Sequence, residues 1–406
     1  MDWLLKNARL TDNTPLQDIA LAEGRISAIG ANLTATDQAQ IWDLAGRVVL
    51  PGLIEAHAHL DKTYTSITNQ SGTLLEAIKM WHQIKPKRTY ADIQTTARQA
   101  LDQAIRQGVT AVRSHIDIGA EADLQGVQAL LDVRQAYTDL LDIQFVALGA
   151  AGGSPENRTT LAQAMAMGVD IVGGAPALMP NPEEDIDAAL DLAEQLNCPV
   201  DLHIDETEDP NSLTLEYLAD QTSARGLQGR VTAGHCCSLA FVDQATAARV
   251  IEKVAAAQIH VVTLPSTNLV LIGRGFSPPP RGITRVKELL AHGVNVCAAS
   301  DNVYDPFNPF GGYDLLHIAN LNAHVAHMSG ESELETSLAM VTSHPAKALG
   351  LDTGLTVGSP ADLIVIDALQ RQDAVLSLPP RLATFKRGQL IVRTAIEQTW
   401  HAQPKQ

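Results

Sequence analysis

Pro51-Gly52-Leu53-Ile54-Glu55-Ala56-His57-Ala58-His59-Leu60-Asp61-Lys62 is a short apolar run that closes in two histidines spaced two residues apart. Alternate residues of a strand share a face. His57 and His59 therefore project together from the end of one strand, as two arms of a metal site. A working site needs more: further ligands, acid–base groups and a scaffold that gathers them.

The chain on the carboxyl side of this stretch alternates strand and helix signals. Apolar, β-rich runs recur at 53–57, 109–117, 143–148, 170–174, 200–203, 231–235, 259–264 and 294–301. Helix-patterned segments lie between them, among them 91–107, 124–138, 183–196, 243–257 and 284–292. Gly108, Gly168 and Gly293 close such segments just before the next strand. Strands alternating with helices predict an α/β fold, a (β/α)₈ TIM-like barrel over residues 51–354. No glycine-rich dinucleotide or phosphate fingerprint follows any strand.

The two ends of the chain read differently. Segments 3–10, 18–22 and 25–29 are strand-like, the last two joined through Glu23-Gly24, a hairpin signal. Segments 361–366 and 382–392 repeat the pattern around Gly388. None of these can bury its apolar face alone. The expectation is a small β-sandwich domain formed by both termini, residues 1–50 plus 355–406.

Active sites of such barrels sit at the carboxyl ends of the strands. The first strand ends in His57 and His59, and the second in His115 and Asp117. The fifth ends in His203, followed by Glu206; the sixth ends in His235, the eighth in Asp301. One metal could take His57, His59, His203 and Asp301 and keep a position open for water. Nitrogen and oxygen donors suit Zn²⁺ or Fe²⁺ alike. The fourth strand end, Gly173-Gly174-Ala175, offers no Lys or Glu to bridge a second ion. Blander roles compete: Glu206 as a solvated charge in the acidic run 205–209, His235 as a core histidine, Lys62 on the surface, Trp81 in packing. His115 and Asp117 either support the ligands or face the substrate. His324 and His327 are expected on a helix face.

Composition sets the partners. A net charge of -17 argues against nucleic acid. No apolar run is long enough for a bilayer, and Met1 to Lys6 lack the features of a signal peptide. The four cysteines, Cys198, Cys236, Cys237 and Cys297, show no CxxC spacing and read as reduced core residues. The expectation is a cytoplasmic protein acting on a small molecule.

The chain resembles the amidohydrolase superfamily, in the branch that contains bacterial cytosine deaminase. The resemblance runs almost end to end. It rests on the HxH stretch, Gln70-Ser71-Gly72-Thr73-Leu74, Val112 to Asp117, the HxxE of His203 to Glu206, Val231 to His235, Arg281 to Glu288 and Asp301 to Pro306. It implies one divalent metal on His57, His59, His203 and Asp301, with Glu206 as proton shuttle and His235 contacting the attacking water. The implied activity is hydrolytic deamination of a nitrogen-rich heterocycle by a homo-oligomer. Ala150 stands where cytosine deaminase has a base-reading glutamine, Asn302 where it has a second aspartate, and Phe307 where it has a tryptophan. The expected substrate is accordingly another cyclic amidine or guanidine, contacted by Lys62, Trp81, His115, Asp117, Ala150, Asn302 and Phe307. Asp61-Lys62 and Asp301-Asn302 also resemble N-isopropylammelide amidohydrolase, which implies cleavage of an N-alkylamino or cyclic amide bond as the alternative. A non-catalytic relative is a third, less favoured reading, since every expected ligand is present.

Overall fold

The computed structural model describes residues 1–65, 69–119 and 124–401. Its centre is an eight-stranded sheet of β6 (Leu53–Ala58), β7 (Val109–Asp117), β8 (Asp142–Leu148), β9 (Ile171–Gly174), β10 (Val200–Ile204), β11 (Val231–His235), β12 (His260–Thr263) and β13 (Val296–Ala298). The strands follow sequence order and each neighbouring pair is parallel. Parallel strands are covered on both faces and read as near-continuous apolar runs, which is why β6, β10 and β11 are buried at every position. Helices between the strands bury one stripe each. The helix Tyr90–Arg106, capped by the reciprocal Thr89–Asp92 box, turns Ile93, Ala97, Ala100, Leu101 and Ala104 inward at helical spacing.

The barrel closes along an irregular seam. Deep in it, Ile54 N–H donates to the carbonyl of Val341 at 3.0 Å and Ala298 N–H to that of Met340 at 2.9 Å, so the turn that ends the helix Glu331–Ala339 wedges between β6 and β13. At the carboxyl end the two strands meet directly, through an Ala58–Asp301 bridge in which Asp301 N–H reaches the His57 carbonyl at 2.9 Å. The expected strand over 294–301 is therefore regular only at Val296–Ala298. Asp301 leaves the ladder in a left-handed conformation, φ 61°, which swings its carboxylate toward β6.

The termini build two four-stranded sheets. One runs β3 (Arg25–Gly30), β2 (Gln17–Ala22), β1 (Trp3–Ala8), β4 (Gln40–Asp43). The other runs β16 (Gln389–Arg393), β15 (Arg381–Lys386), β14 (Leu363–Ile366), β5 (Val49–Pro51). Leu5, Leu21 and Ile26 of the first and Val49, Leu363, Val365 and Phe385 of the second share one apolar core. Trp3 meets Phe385 edge to face at 5.4 Å. Strand β4 has no apolar run to announce it. It forms because β1 offers a parallel edge, Trp3 to Gln40 through Lys6 to Asp43.

Below His57 the barrel interior holds a buried, hydrogen-bonded ion pair. Arg113 of β7 donates to Asp201 of β10 at 2.9 Å, to Thr232 at 3.3 Å, to Gln144 at 3.0 Å and to the Ala348 carbonyl at 3.1 Å. Its side chain is 2% exposed and that of Asp201 0%. Removing one partner of such a pair strands the other charge. Arg113→Met is expected to cost about 3–5 kcal/mol of unfolding free energy, read from denaturant midpoints. The double variant Arg113→Met/Asp201→Leu recovers much of that loss.

Candidate active site

The side chains expected from four strand ends converge at the carboxyl end of the barrel. Nε2 of His203 lies 3.2 Å from Nε2 of His57 and 3.2 Å from Nε2 of His59. Oδ1 of Asp301 is 3.2 Å from His59 Nε2 and 3.6 Å from His57 Nε2. All four side chains are buried. Burial, with charges on neighbouring groups, holds the three imidazoles well below the usual histidine range, so each is neutral. One N–H can settle only one of these contacts, and both Asp301 oxygens have no hydrogen-bond partner among the described residues. Lone pairs thus face lone pairs, an arrangement that is costly without a cation between them. Four donors on bonds of about 2.0–2.2 Å to a tetrahedral ion stand about 3.3–3.6 Å apart. The spacing here fits a metal, and His57, His59, His203 and Asp301 are the residues that could hold it.

Local backbone aims this set. Asp205, at φ 50°, turns its carboxylate away to accept from Ser212 Oγ, Thr214 N–H and Oγ1 and Leu215 N–H at 2.7–3.1 Å, capping the helix Thr214–Ala224. That leaves Glu206 facing the barrel mouth. Its Oε1 lies 3.5 Å from Nδ1 of His235, and the side chain is 17% exposed. Burial, reinforced by the Asp301 carboxylate, pushes the Glu206 carboxyl well above the usual range. His235, itself left-handed at φ 66°, is fixed by the Asn268 amide 3.0 Å from Nδ1. Its Nε2 has no protein partner among the described residues, and burial lowers the ring to about 3.

Above the cluster opens a cavity of about 570 Å³. Lys62, Trp81, Asp117, Ala150, Asn302 and Phe307 all line it, with Glu206, His235 and Asp301 at its base. Lys62 Nζ donates to Asp117 Oδ1 at 3.0 Å and sits 5.4 Å from the ring centres of both Trp81 and Phe307. Trp81 Nε1–H donates to the other Asp117 oxygen. Burial alone lowers a lysine, but the Asp117 and Asp61 carboxylates outweigh it and push Lys62 up. Asn302 gives its Nδ2 to Asp305 at 2.7 Å.

His115 lies behind the ligands, not on the cavity wall. Its ring stacks on His57 at 4.0 Å, and its Nε2 is 3.7 Å from Asp201. His324 is far from this chemistry: it occupies the helix Leu315–Val325 and bonds its own Asn320 carbonyl at 2.8 Å. Three supports were not singled out from sequence: Asn268, Asp305 and the Arg113–Asp201 pair. A lone charge inside an apolar strand was the available signal for Arg113 and Asp201. Asn268 sits in the short helix Pro265–Leu271 and meets His235 from 33 residues away, whereas Asp305 bonds its near neighbours Asn302, Phe307 and Asn308 in a loop without regular structure. The four cysteines are free, as expected, with Cys198 partly exposed.

A barrel with a His/Asp metal cluster at the carboxyl ends of its strands, beside a neutral carboxyl and a neutral imidazole, defines the class of metal-dependent hydrolases. The chain belongs to the amidohydrolase family, whose model matches residues 40–125 and 80–401. It is 32% identical to a pterin deaminase of Rhizobium rhizogenes, covering 93% of this chain and 88% of that one. It is 28% identical to an N-isopropylammelide isopropyl amidohydrolase of Pseudomonas sp. over 97% and 98% of the two chains. The solved 5-methylcytosine deaminase of Klebsiella pneumoniae, with phosphonocytosine bound, superposes with a TM-score of 0.92 at 34% identity over 98% and 100% of the chains.

Zinc at about 100 times its dissociation constant is expected to raise the unfolding free energy of chelator-stripped protein by about 2.7 kcal/mol. His59→Ala abolishes that rise, and His324→Ala leaves it intact; thermal melts with and without zinc read both.

Proposed function

We propose that the protein is a hydrolytic deaminase of a nitrogen-rich heterocycle, a cyclic amidine or guanidine, and that it releases ammonia. The observation that carries this reading is Glu206, a carboxyl kept protonated by burial, 3.5 Å from His235 and at the base of the cavity. His57, His59, His203 and Asp301 would hold a divalent ion, Zn²⁺ or Fe²⁺, which would lower the pKa of a water from about 15.7 toward about 7. Asp301 accepts the water's first proton. The oxygen bonds to the ring carbon that bears the amino group, while Glu206 gives its proton to the adjacent ring nitrogen. His235 steadies the charge that gathers on the attacking oxygen. Proton return through Glu206 and Asp301 to the amino nitrogen lets the C–N bond break. A ring carbonyl remains and ammonia leaves.

The wall reads the ring. Lys62, held by Asp117, offers its remaining N–H donors to a carbonyl or an unprotonated ring nitrogen. Asn302 gives one amide N–H to Asp305 and keeps its second N–H and its carbonyl oxygen for the ring edge. Ala150 offers neither, which leaves room where a base-reading amide would stand. Trp81 and Phe307 bound the face of the ring. His115 acts from behind, by packing on His57. Catalysis is assigned to residues 51–354, and the sandwich to 1–50 and 355–406.

A second reading, hydrolysis of an N-alkylamino or cyclic amide bond, is favoured by the 28% identity to the N-isopropylammelide enzyme. Free, largely buried cysteines and the lack of any described helix long and apolar enough to cross a membrane support a cytoplasmic setting. A homo-oligomer completes the proposal, and sedimentation of the purified chain tests it.

Glu206→Gln is expected to lower kcat for ammonia release by about 10²–10⁴ while bound metal stays stoichiometric. Cytosine, 5-methylcytosine, aminotriazines and a pterin form the substrate panel. Alkylamine release with Glu206→Gln still active overturns deamination in favour of the second reading.

A further inference from the structure

The chain carries a net charge of -17, yet a lysine without an ion-pair partner among the described residues stands on its cavity wall. Among the described residues its charged lining is Lys62, Lys85, Asp117, Glu206 and Asp301. Lys62 and Asp117 neutralise one another at 3.0 Å. Asp301 turns to the metal cluster, and Glu206 to His235. Lys85, half-buried at the end of the helix Leu74–Ile84, has no ion-pair partner among the described residues. Its charge reaches inward, where it is felt by the carboxyls of Asp61 and Asp117.

Size and polarity define the rest of the space. About 570 Å³ falls in the range of about 300–1,000 Å³ that holds drug-sized ligands. Only the base is needed for one amino-bearing ring. Leu74, Ile78, Ile118, Leu178 and Met179 give the outer wall an apolar surface. Thr73 caps the helix that brings Leu74 and Ile78 to it, and Gly72, at φ 67°, lets Arg274 pack where a Cβ would lie 2.2 Å from its guanidinium.

We infer that the substrate is an anionic amino-heterocycle larger than one ring: a fused or substituted ring whose flat apolar part lies on this outer wall and whose carboxylate meets Lys85 at the mouth. The inference rests on the deaminase reading for the reacting end only. An unpaired lysine at the mouth of an apolar-walled recess favours such a ligand over neutral and cationic rings. Deamination leaves the carboxylate untouched and yields the ring carbonyl, so the reaction that supplies the substrate must deliver an already carboxylated amino ring.

The test is equilibrium binding, followed by calorimetry on zinc-loaded protein, with ammonia measured separately. The probes are pterin and pterin-6-carboxylate. The carboxylate is expected to bind about five-fold tighter or more, as for a half-exposed ion pair. That preference falls toward unity in Lys85→Gln, reverses in Lys85→Glu and shrinks as salt rises. Equal binding of the two probes, or a preference that Lys85→Gln does not reduce, overturns the inference. Tight carboxylate binding without ammonia keeps the inference and removes the deaminase reading. Ammonia from pterin with no gain from the carboxylate does the reverse.

Discussion

Everything at the mouth of this barrel depends on four donor atoms held too close together. Three neutral imidazole nitrogens and one carboxylate oxygen stand 3.2–3.6 Å apart inside protein. Hydrogen bonds cannot reconcile them, because there are more lone pairs than protons. A cation can. The fold holds these atoms in place from three directions: β6 supplies His57 and His59, β10 supplies His203, and the seam supplies Asp301. The seam is regular only where it must be. One backbone bridge between Ala58 and Asp301 ties the first and last strands at the level of the ligands.

Beneath that level the barrel spends polar groups on rigidity. The Arg113–Asp201 pair, with Gln144, Thr232 and the Ala348 carbonyl also on Arg113, joins β7, β8, β10, β11 and the helix Ser343–Leu349. His115 stands between this pair and His57. Buried ion pairs are poor sources of net stability, but one whose guanidinium is bonded at every nitrogen fixes geometry, and His57 rests on it through His115. The same economy appears at Asp205, whose capping bonds orient Glu206 without touching the site.

Much of this was legible in the sequence, for physical reasons. Period-two alternation puts His57 and His59 on one face, and alternating strand and helix patterns number the strand ends that carry His203, His235 and Asp301. The two apolar termini needed partners and found each other through β5 and β14. Other features were not legible. The Lys62–Asp117–Trp81 triangle joins three elements whose meeting depends on tertiary geometry, and each residue alone has a commonplace surface or packing role. Strand β4 is made by its neighbour, not by its own propensity. The left-handed turns at Asp205, His235 and Asp301 fall on residues whose sequence gives no glycine to mark them.

The most direct test is anomalous diffraction from crystals of zinc-loaded protein, recorded above and below the zinc edge. One peak within about 2.0–2.2 Å of His57, His59, His203 and Asp301 is the predicted result. No peak, or a peak seated instead between His115 and Asp201, contradicts the account.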